Sequence, residues 1–355
     1  MTLTEDAVRD ALRQVQDPDL HRDIVFLGFV KAINIEGTSV HVIVELTTPA
    51  CPVREELQAA CENAIRDLTP ATEIRIEMTA QVRKKSGPDS ELVPGVKHII
   101  AIASGKGGVG KSTVTVNLAV ALAQTGAKVG LLDADVYGPC IPLMMGAKDE
   151  KPFTQANKII PIQRYGVKMM SLGFLLEEGN AVMWRGPMVA GTVRQLLADV
   201  DWGDLDYLLA DLPPGTGDAP MSLAQLVPLT GVVIVSTPHN VASNIAGKAV
   251  QLFRRLNSPI LGVVENMGAY TDPVSGERRQ MFYGASGDEL AKDLKVPFLG
   301  SIPFDPEISQ SGDAGVPSVI MHPSTPQAGA FQRIAGKVAQ QSSILAMTRT
   351  DLKQA

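Results

Sequence analysis

Ser104-Gly105-Lys106-Gly107-Gly108-Val109-Gly110-Lys111-Ser112-Thr113 is the stretch whose reading decides the fold. It follows the apolar run His98–Ala103 and precedes the helical pattern Ser112–Gln124. The match to G-x-x-x-x-G-K-[ST] therefore has its required context, a strand before and a helix after. Glycines let backbone N–H groups converge on phosphate oxygens without a Cβ in the way. The helix adds the partial positive charge of its N-terminus. Lys111 is expected to reach the β- and γ-phosphates, and the Ser112 hydroxyl to take a place on Mg²⁺. The nucleotide site thus comprises Gly105, Lys106, Gly107, Gly108, Val109, Gly110, Lys111, Ser112 and Thr113. Lys106 is the unusual member: a phosphate loop does not require a lysine there. Its ammonium can aim at phosphates in its own site or in a facing one.

Outward from this loop, apolar strands alternate with helices. Strand candidates are His98–Ala103, Val129–Asp133, Tyr207–Asp211, Val232–Ser236, Ile260–Glu265 and Phe298–Ile302; helical stretches include Val189–Ala198, Val241–Leu256 and Gly287–Leu294. Continuous apolar strands of this kind belong in a mostly parallel sheet covered by helices on both faces, an α/β fold. Tyr207–Asp211 ends in an acid suited to hold the Mg²⁺ shell through water, and the following Pro213–Asp218 reads as a switch loop. In that loop the Gly215 N–H is placed to sense a γ-phosphate. Asp133 and Asp135 end another strand. Asp135 is assigned to the attacking water and Asp133 to the metal side, with the reverse assignment open.

Before residue 96 the texture differs. Thr4 to Val15 has a one-sided apolar helical pattern; Val25–Ile35 and Ser39–Leu46 read as a hairpin; a helix from Pro52 to about Asp67 and a strand Glu73–Val82 follow. The expected organisation is a small α+β domain over 1–82, a polar linker over 83–95, the nucleotide-binding domain over 96–341, and a tail over 342–355. The net charge of −6 argues against nucleic acid as the main partner, which needs a basic surface. No run reaches the ~18 apolar residues of a membrane span. The polar N-terminus does not resemble a signal peptide. The C-terminal stretch has too weak an apolar stripe for a membrane-surface helix. Three cysteines make no disulfide framework, so the cytoplasm is the expected compartment.

GKGGVGKST, DADVYGP (Asp133–Pro139), WRGPM (Trp184–Met188), DLPPGTGD (Asp211–Asp218), ENM (Glu265–Met267) and IPFDPEI (Ile302–Ile308) occur in this order. Together they resemble the Mrp/ApbC/Nbp35 family of iron–sulfur cluster carrier ATPases, relatives of MinD and the nitrogenase iron protein. The N-terminal module, with Asp17-Pro18 and LTTPACP (Leu46–Pro52), is similar to the MIP18-type domain. The resemblance implies a homodimer, slow ATP hydrolysis and transfer of a [4Fe–4S] cluster to apoproteins. It implies further that Lys106, of the deviant Walker A type, crosses the dimer interface, and that Asn266 recognises adenine with Pro303 and Phe304 nearby. A nucleotide-switched regulator of the MinD/ParA kind, without a cluster, is the competing reading.

One departure matters. Many members carry Cys-x-x-Cys after the ENM motif, and here Gly268–Gly284 contains no cysteine. Thiolates are the usual ligands of such clusters. Cys51, just before Pro52, is expected near a helix N-terminus with a lowered pKa, as the reactive or cluster-handling thiol. Cys140 is a second candidate thiol or a small buried residue, and Cys61 falls at core spacing.

Overall fold

The computed structural model describes residues 3–68, 73–84, 92–175, 186–215 and 217–351. Most of the expected linker, the Trp184-Arg185 pair and Thr216 lie outside the described residues. The chain divides into two compact units, Met1–Lys84 with Ala339–Ala355, and Lys85–Val338.

In the first unit, α1 (Glu5–Leu12) is capped by Thr4, whose hydroxyl accepts from the Ala7 N–H, and it buries Val8, Ala11 and Leu12. Strands β1 (Val30–Glu36) and β2 (Ser39–Leu46) form the hairpin, turning at Gly37 with φ of 61°. The first strand starts five residues later than Val25, because the chain turns through Gly28 and Phe29 N–H closes back onto Ile24. Helix α2 (Arg54–Arg66) then crosses to β3 (Glu73–Ala80), which pairs with β2 in parallel. Val40, Val42, Val44 and Leu46 alternate inward along β2, and Cys61 and Ile65 cover them from α2.

The second unit is built on an eight-stranded sheet. In chain order the sheet strands are β4 (Val96–Ser104), β5 (Val129–Asp133), β6 (Ile162–Arg164), β7 (Val167–Ser171), β8 (Leu205–Asp211), β9 (Gly231–Ser236), β10 (Ile260–Glu265) and β11 (Phe298–Ser301). Their spatial order is β6-β7-β5-β8-β4-β9-β10-β11, parallel throughout except for the β6–β7 hairpin at one edge. The interleaved helices are α3 (Lys111–Gln124), α4 (Ile141–Met144), α5 (Gly186–Ala198), α6 (Asp218–Leu226), α7 (Asn240–Arg255), α8 (Gly287–Leu294) and α9 (Pro306–Asp313), before a final helix α10 (Pro326–Asp351). Strands β5, β8 and β9 are buried at nearly every position, as apolar runs covered on both faces must be. Helix α3 is buried on all sides through Val114–Leu122, which fixes its N-terminus rigidly under the loop. The chain leaves central β4 for β5 on one side and reaches β9 on the other, so a crevice opens at the carboxyl ends of these strands.

The edge hairpin β6–β7 was not foreseen. Its strands are only three and five residues long, and its turn puts Tyr165 at φ 49° and Gly166 at 77°. Tyrosine is an uncommon occupant of a left-handed turn position, so the usual hairpin signal is missing. The expected tail also differs: α10 runs on to Asp351, and Met347 packs in the core of the first unit.

Candidate functional site

The phosphate loop leaves β4 at Ser104 and enters α3 at Lys111. Glycine is required at three of its positions, at Gly108 by its φ of 79° alone. A Cβ on Gly105 would sit 2.5 Å from the backbone carbon of Ile245 on α7, with no side chain free to yield. Gly110 has φ of 77°, and a Cβ there would collide with the Asn266 amide. Around Gly107 and Gly108 the space is open. The loop is thus pinned at its ends and clear in the middle, where an anion would enter.

Strand register converges the acids. Asp133 on β5 and Asp211 on β8 are Cα partners across neighbouring strands. Asp211, wholly buried, accepts from Ser112 Oγ at 2.5 Å, from Lys111 Nζ at 2.7 Å and from Thr115 Oγ1 at 2.6 Å. Asp133 is spent differently: its carboxylate accepts from the Ser171 hydroxyl at 2.8 Å and from the backbone N–H groups of Asp135 and Ile141. Burial, helped by the neighbouring Asp211 charge, pushes the Asp133 pKa up to about 8. Asp135 lies nearer the open side, its Oδ2 4.0 Å from Lys111 Nζ, and burial again raises its pKa. Asp133 therefore fastens the loop after β5, and Asp135 is the acid that faces the lysine.

The remaining expected residues fall around the same crevice. The Asn266 amide donates to the Val109 carbonyl at 2.9 Å, so in this structure it holds the phosphate loop from the far side. Gly215, at φ 95°, donates its N–H to the Ser104 carbonyl at 2.9 Å. Phe304 and Pro303 follow β11, with the Phe304 ring edge-on to Tyr270 at 6.5 Å. Lys106 is half-buried, and no carboxylate among the described residues pairs with its ammonium. Thr113 shares the first turn of α3, its carbonyl taking the Asn117 amide.

One thiol expectation changes. Cys51 lies two residues before Val53, the N-cap of α2, and the Val53 N–H reaches its thiol; the placement near a helix N-terminus holds, and the lowered pKa does not. Burial dominates and pushes its pKa up to about 11, against the lowering expected of a helix dipole; the nearby Asp17 and Asp19 charges add to the rise. Cys140 caps α4 within hydrogen-bond reach of Ser112, which places its thiol at the phosphate site. Cys61 is fully buried, as its spacing predicts. Sequence reasoning missed Thr115 and Ser171. Thr115 lies one turn after Lys111 on the same helix face and so was findable; Ser171 ends a strand whose existence was itself missed.

Hard oxygen donors from Ser112 and Asp211, beside an ammonium and an open anion cradle, fit a Mg²⁺–nucleotide. Fold and site define a P-loop nucleotide-binding protein. The family described as NUBPL iron-transfer P-loop NTPase matches residues 95–339, and that described as iron–sulfur cluster assembly protein matches residues 5–77. The chain is 45% identical over 351 residues to the iron–sulfur cluster carrier protein of Synechocystis, spanning 97% of this chain and 99% of that one. It is 42% identical over 346 residues to the chloroplastic Fe–S cluster assembly factor of Oryza sativa, covering 95% of this chain and 64% of the longer rice protein. Among solved structures, the ADP-bound nucleotide-binding protein of Archaeoglobus fulgidus aligns at 42% identity and a TM-score of 0.56, over 62% of this chain and 87% of that one. The cell division ATPase MinD of Pyrococcus furiosus aligns at 26% and 0.52, over 68% and 98%. The chain belongs to the iron–sulfur cluster carrier family of P-loop NTPases, with a MIP18-type domain at its N-terminal end.

Proposed function

We propose that this chain is an ATP-hydrolysing iron–sulfur cluster carrier that works as a homodimer in the cytoplasm and delivers [4Fe–4S] clusters to apoproteins. The observation that carries the reading is the Lys111–Ser112–Asp211 constellation on a loop pinned by Gly105 and Gly110, in a chain whose full-length relatives are named as cluster carriers. The same full-length match disfavours a MinD-type regulator, since the N-terminal module has its own counterpart in the carriers.

In this reading the backbone N–H groups of 105–113 and the Lys111 ammonium hold the β- and γ-phosphates. Ser112 and Asp211 would hold a Mg²⁺ ion, which would supply charge neutralisation at the phosphates. For that, Lys111 and Ser112 must exchange their present bonds to Asp211 for bonds to the substrate. Asp135 orients the attacking water, Asn266 contributes to the adenine pocket beside Pro303 and Phe304, and Lys106 reaches the nucleotide of the facing subunit. The Gly215 N–H, now on Ser104, is the group that reports the γ-phosphate to the switch loop.

The cargo is held loosely. Among the described residues no three Cys, His, Asp or Glu side chains converge to hold a metal. Cluster ligands must therefore come from thiols of separate chains, with Cys51 the leading contributor. The test is anaerobic reconstitution followed by transfer to an apo-[4Fe–4S] enzyme. About one cluster per dimer and transfer that depends on Cys51 support the reading; no bound cluster, or the same yield and transfer in Cys51→Ala, refutes it.

A further inference from the structure

The first unit contains a small cavity of about 20 Å³, lined by Asp17, Asp19, Phe29, Leu46, Cys51 and Ser343 among others. That volume admits one atom of the size of a water oxygen or a metal ion, and no organic ligand. Every residue lining it belongs to this unit, Ser343 through the last turns of α10. No lysine, arginine or histidine lines it, whereas two carboxylates and a thiol do.

Ser343 is the independent sign of a ligand. A helical serine buried in an apolar setting ordinarily bonds the carbonyl one turn back. Here its hydroxyl is buried, the residue is 6% exposed, and Oγ has no partner among the described residues. An orphaned hydroxyl of this kind calls for an occupant. Asp17 is also buried at 6% exposure; its Oδ1 takes the N–H groups of Asp19 and Leu20, each at 2.9 Å. These two bonds fix the carboxylate in place at the cavity wall.

We propose that this cavity is a transient seat for a single thiophilic divalent cation of the ferrous class, bound by Cys51 Sγ with oxygen donors from Asp17 and Ser343. A soft thiolate beside hard oxygens suits iron, cobalt or zinc in preference to magnesium or calcium. As the metal–sulfur bond forms, the Cys51 S–H bond breaks and its proton passes to solvent; no electron is transferred. A thiol kept protonated by burial at neutral pH, with Asp17 and Asp19 nearby, is one that a bound cation will ionise. Asp19 also lines the cavity, yet among the described residues no three Cys, His, Asp or Glu side chains are placed to hold one ion, so the site is incomplete and releases its metal readily. The proposal deepens the reading of the chain as an iron-handling protein by giving its N-terminal unit a metal-loading step separate from the nucleotide site.

The test titrates Co²⁺ into the full chain without nucleotide, cluster or oxygen, in a Cys140→Ser background that removes the thiol beside Ser112. One cobalt per chain should bind with a thiolate-to-metal charge-transfer band and about one proton released per ion. Cys51→Ser should abolish the band. Ser343→Ala, which preserves helix and volume, should weaken binding roughly tenfold. Absence of the band, its persistence in Cys51→Ser, or unchanged affinity in Ser343→Ala overturns the proposal. Since no cluster is involved, failure here is distinguishable from failure of cluster transfer.

Discussion

Lys111 Nζ and Asp211 Oδ2 lie 2.7 Å apart, the lysine 6% exposed and the aspartate not at all. The pair exists because the loop delivers the first residue of α3 to the end of β8, the strand hydrogen-bonded beside β4. A buried ion pair is sustained by the desolvation each partner would suffer alone. The ammonium is therefore both the phosphate-binding group and the salt-bridge partner of the buried Asp211 carboxylate.

Lys111→Ala should consequently do two things. ATP hydrolysis should be abolished, and the second unit should lose roughly 3 kcal/mol of stability as Asp211 is left buried without a counter-charge. A coupled ATPase assay and a denaturant melt check both. Lys111→Ala with full ATPase activity would show the phosphate site to be misplaced.

Gly105→Ala should be as damaging as any change in the loop. Its Cβ meets the Ile245 backbone at 2.5 Å, and neither a rotamer change nor a side-chain shift relieves that contact. Nucleotide binding should fall below detection in an equilibrium titration, while Gly107→Ala, facing open space, should retain folding.

Asn266→Ala removes the amide bonded to Val109 and leaves a buried carbonyl without that donor. The cost should be about 1–3 kcal/mol of stability. Nucleotide affinity should drop together with it, because the loop's far side is released; thermal melts with and without Mg–ATP measure both.

The Cys51 thiol should be alkylated slowly at neutral pH. The thiolate is the nucleophile, and burial holds its pKa near 11, so its population rises about tenfold per pH unit up to that value. Iodoacetamide labelling read by mass spectrometry should accelerate steadily from pH 7 to pH 10. A rate that levels off near pH 7 would mean an activated thiolate, as a dominant helix dipole predicts.

Met347→Ala should destabilise the first unit by about 2–3 kcal/mol, the usual cost of truncating a buried methionine. Hydrogen exchange in β1 and β2 would report it, and an unchanged exchange pattern would place α10 outside that core.

The sequence made the phosphate loop, the central parallel strands and the acid at 211 legible, because each is a local pattern with one dominant cause. Continuous apolar runs can only be buried strands here, and a glycine-rich loop between strand and helix has little else to be. Non-local consequences were harder to read. That Asp133 faces Ser171 depends on β7 lying beside β5, which no local pattern announces. The Cys51 environment was misread because burial is a non-local property: desolvation outweighs the lowering by the Val53 N–H at the start of α2. The weak pattern after about Ser342 concealed a helix that runs on to Asp351 and buries Met347 in the first unit's core.

The central claim is a magnesium–nucleotide site between Gly105 and Thr113, and calorimetric titration of Mg–ATP into the full chain tests it most directly. The account predicts heat of binding at one nucleotide per chain, lost in Lys111→Ala and retained in Cys51→Ser. No heat with the unaltered chain, or equal binding by Lys111→Ala, would contradict it.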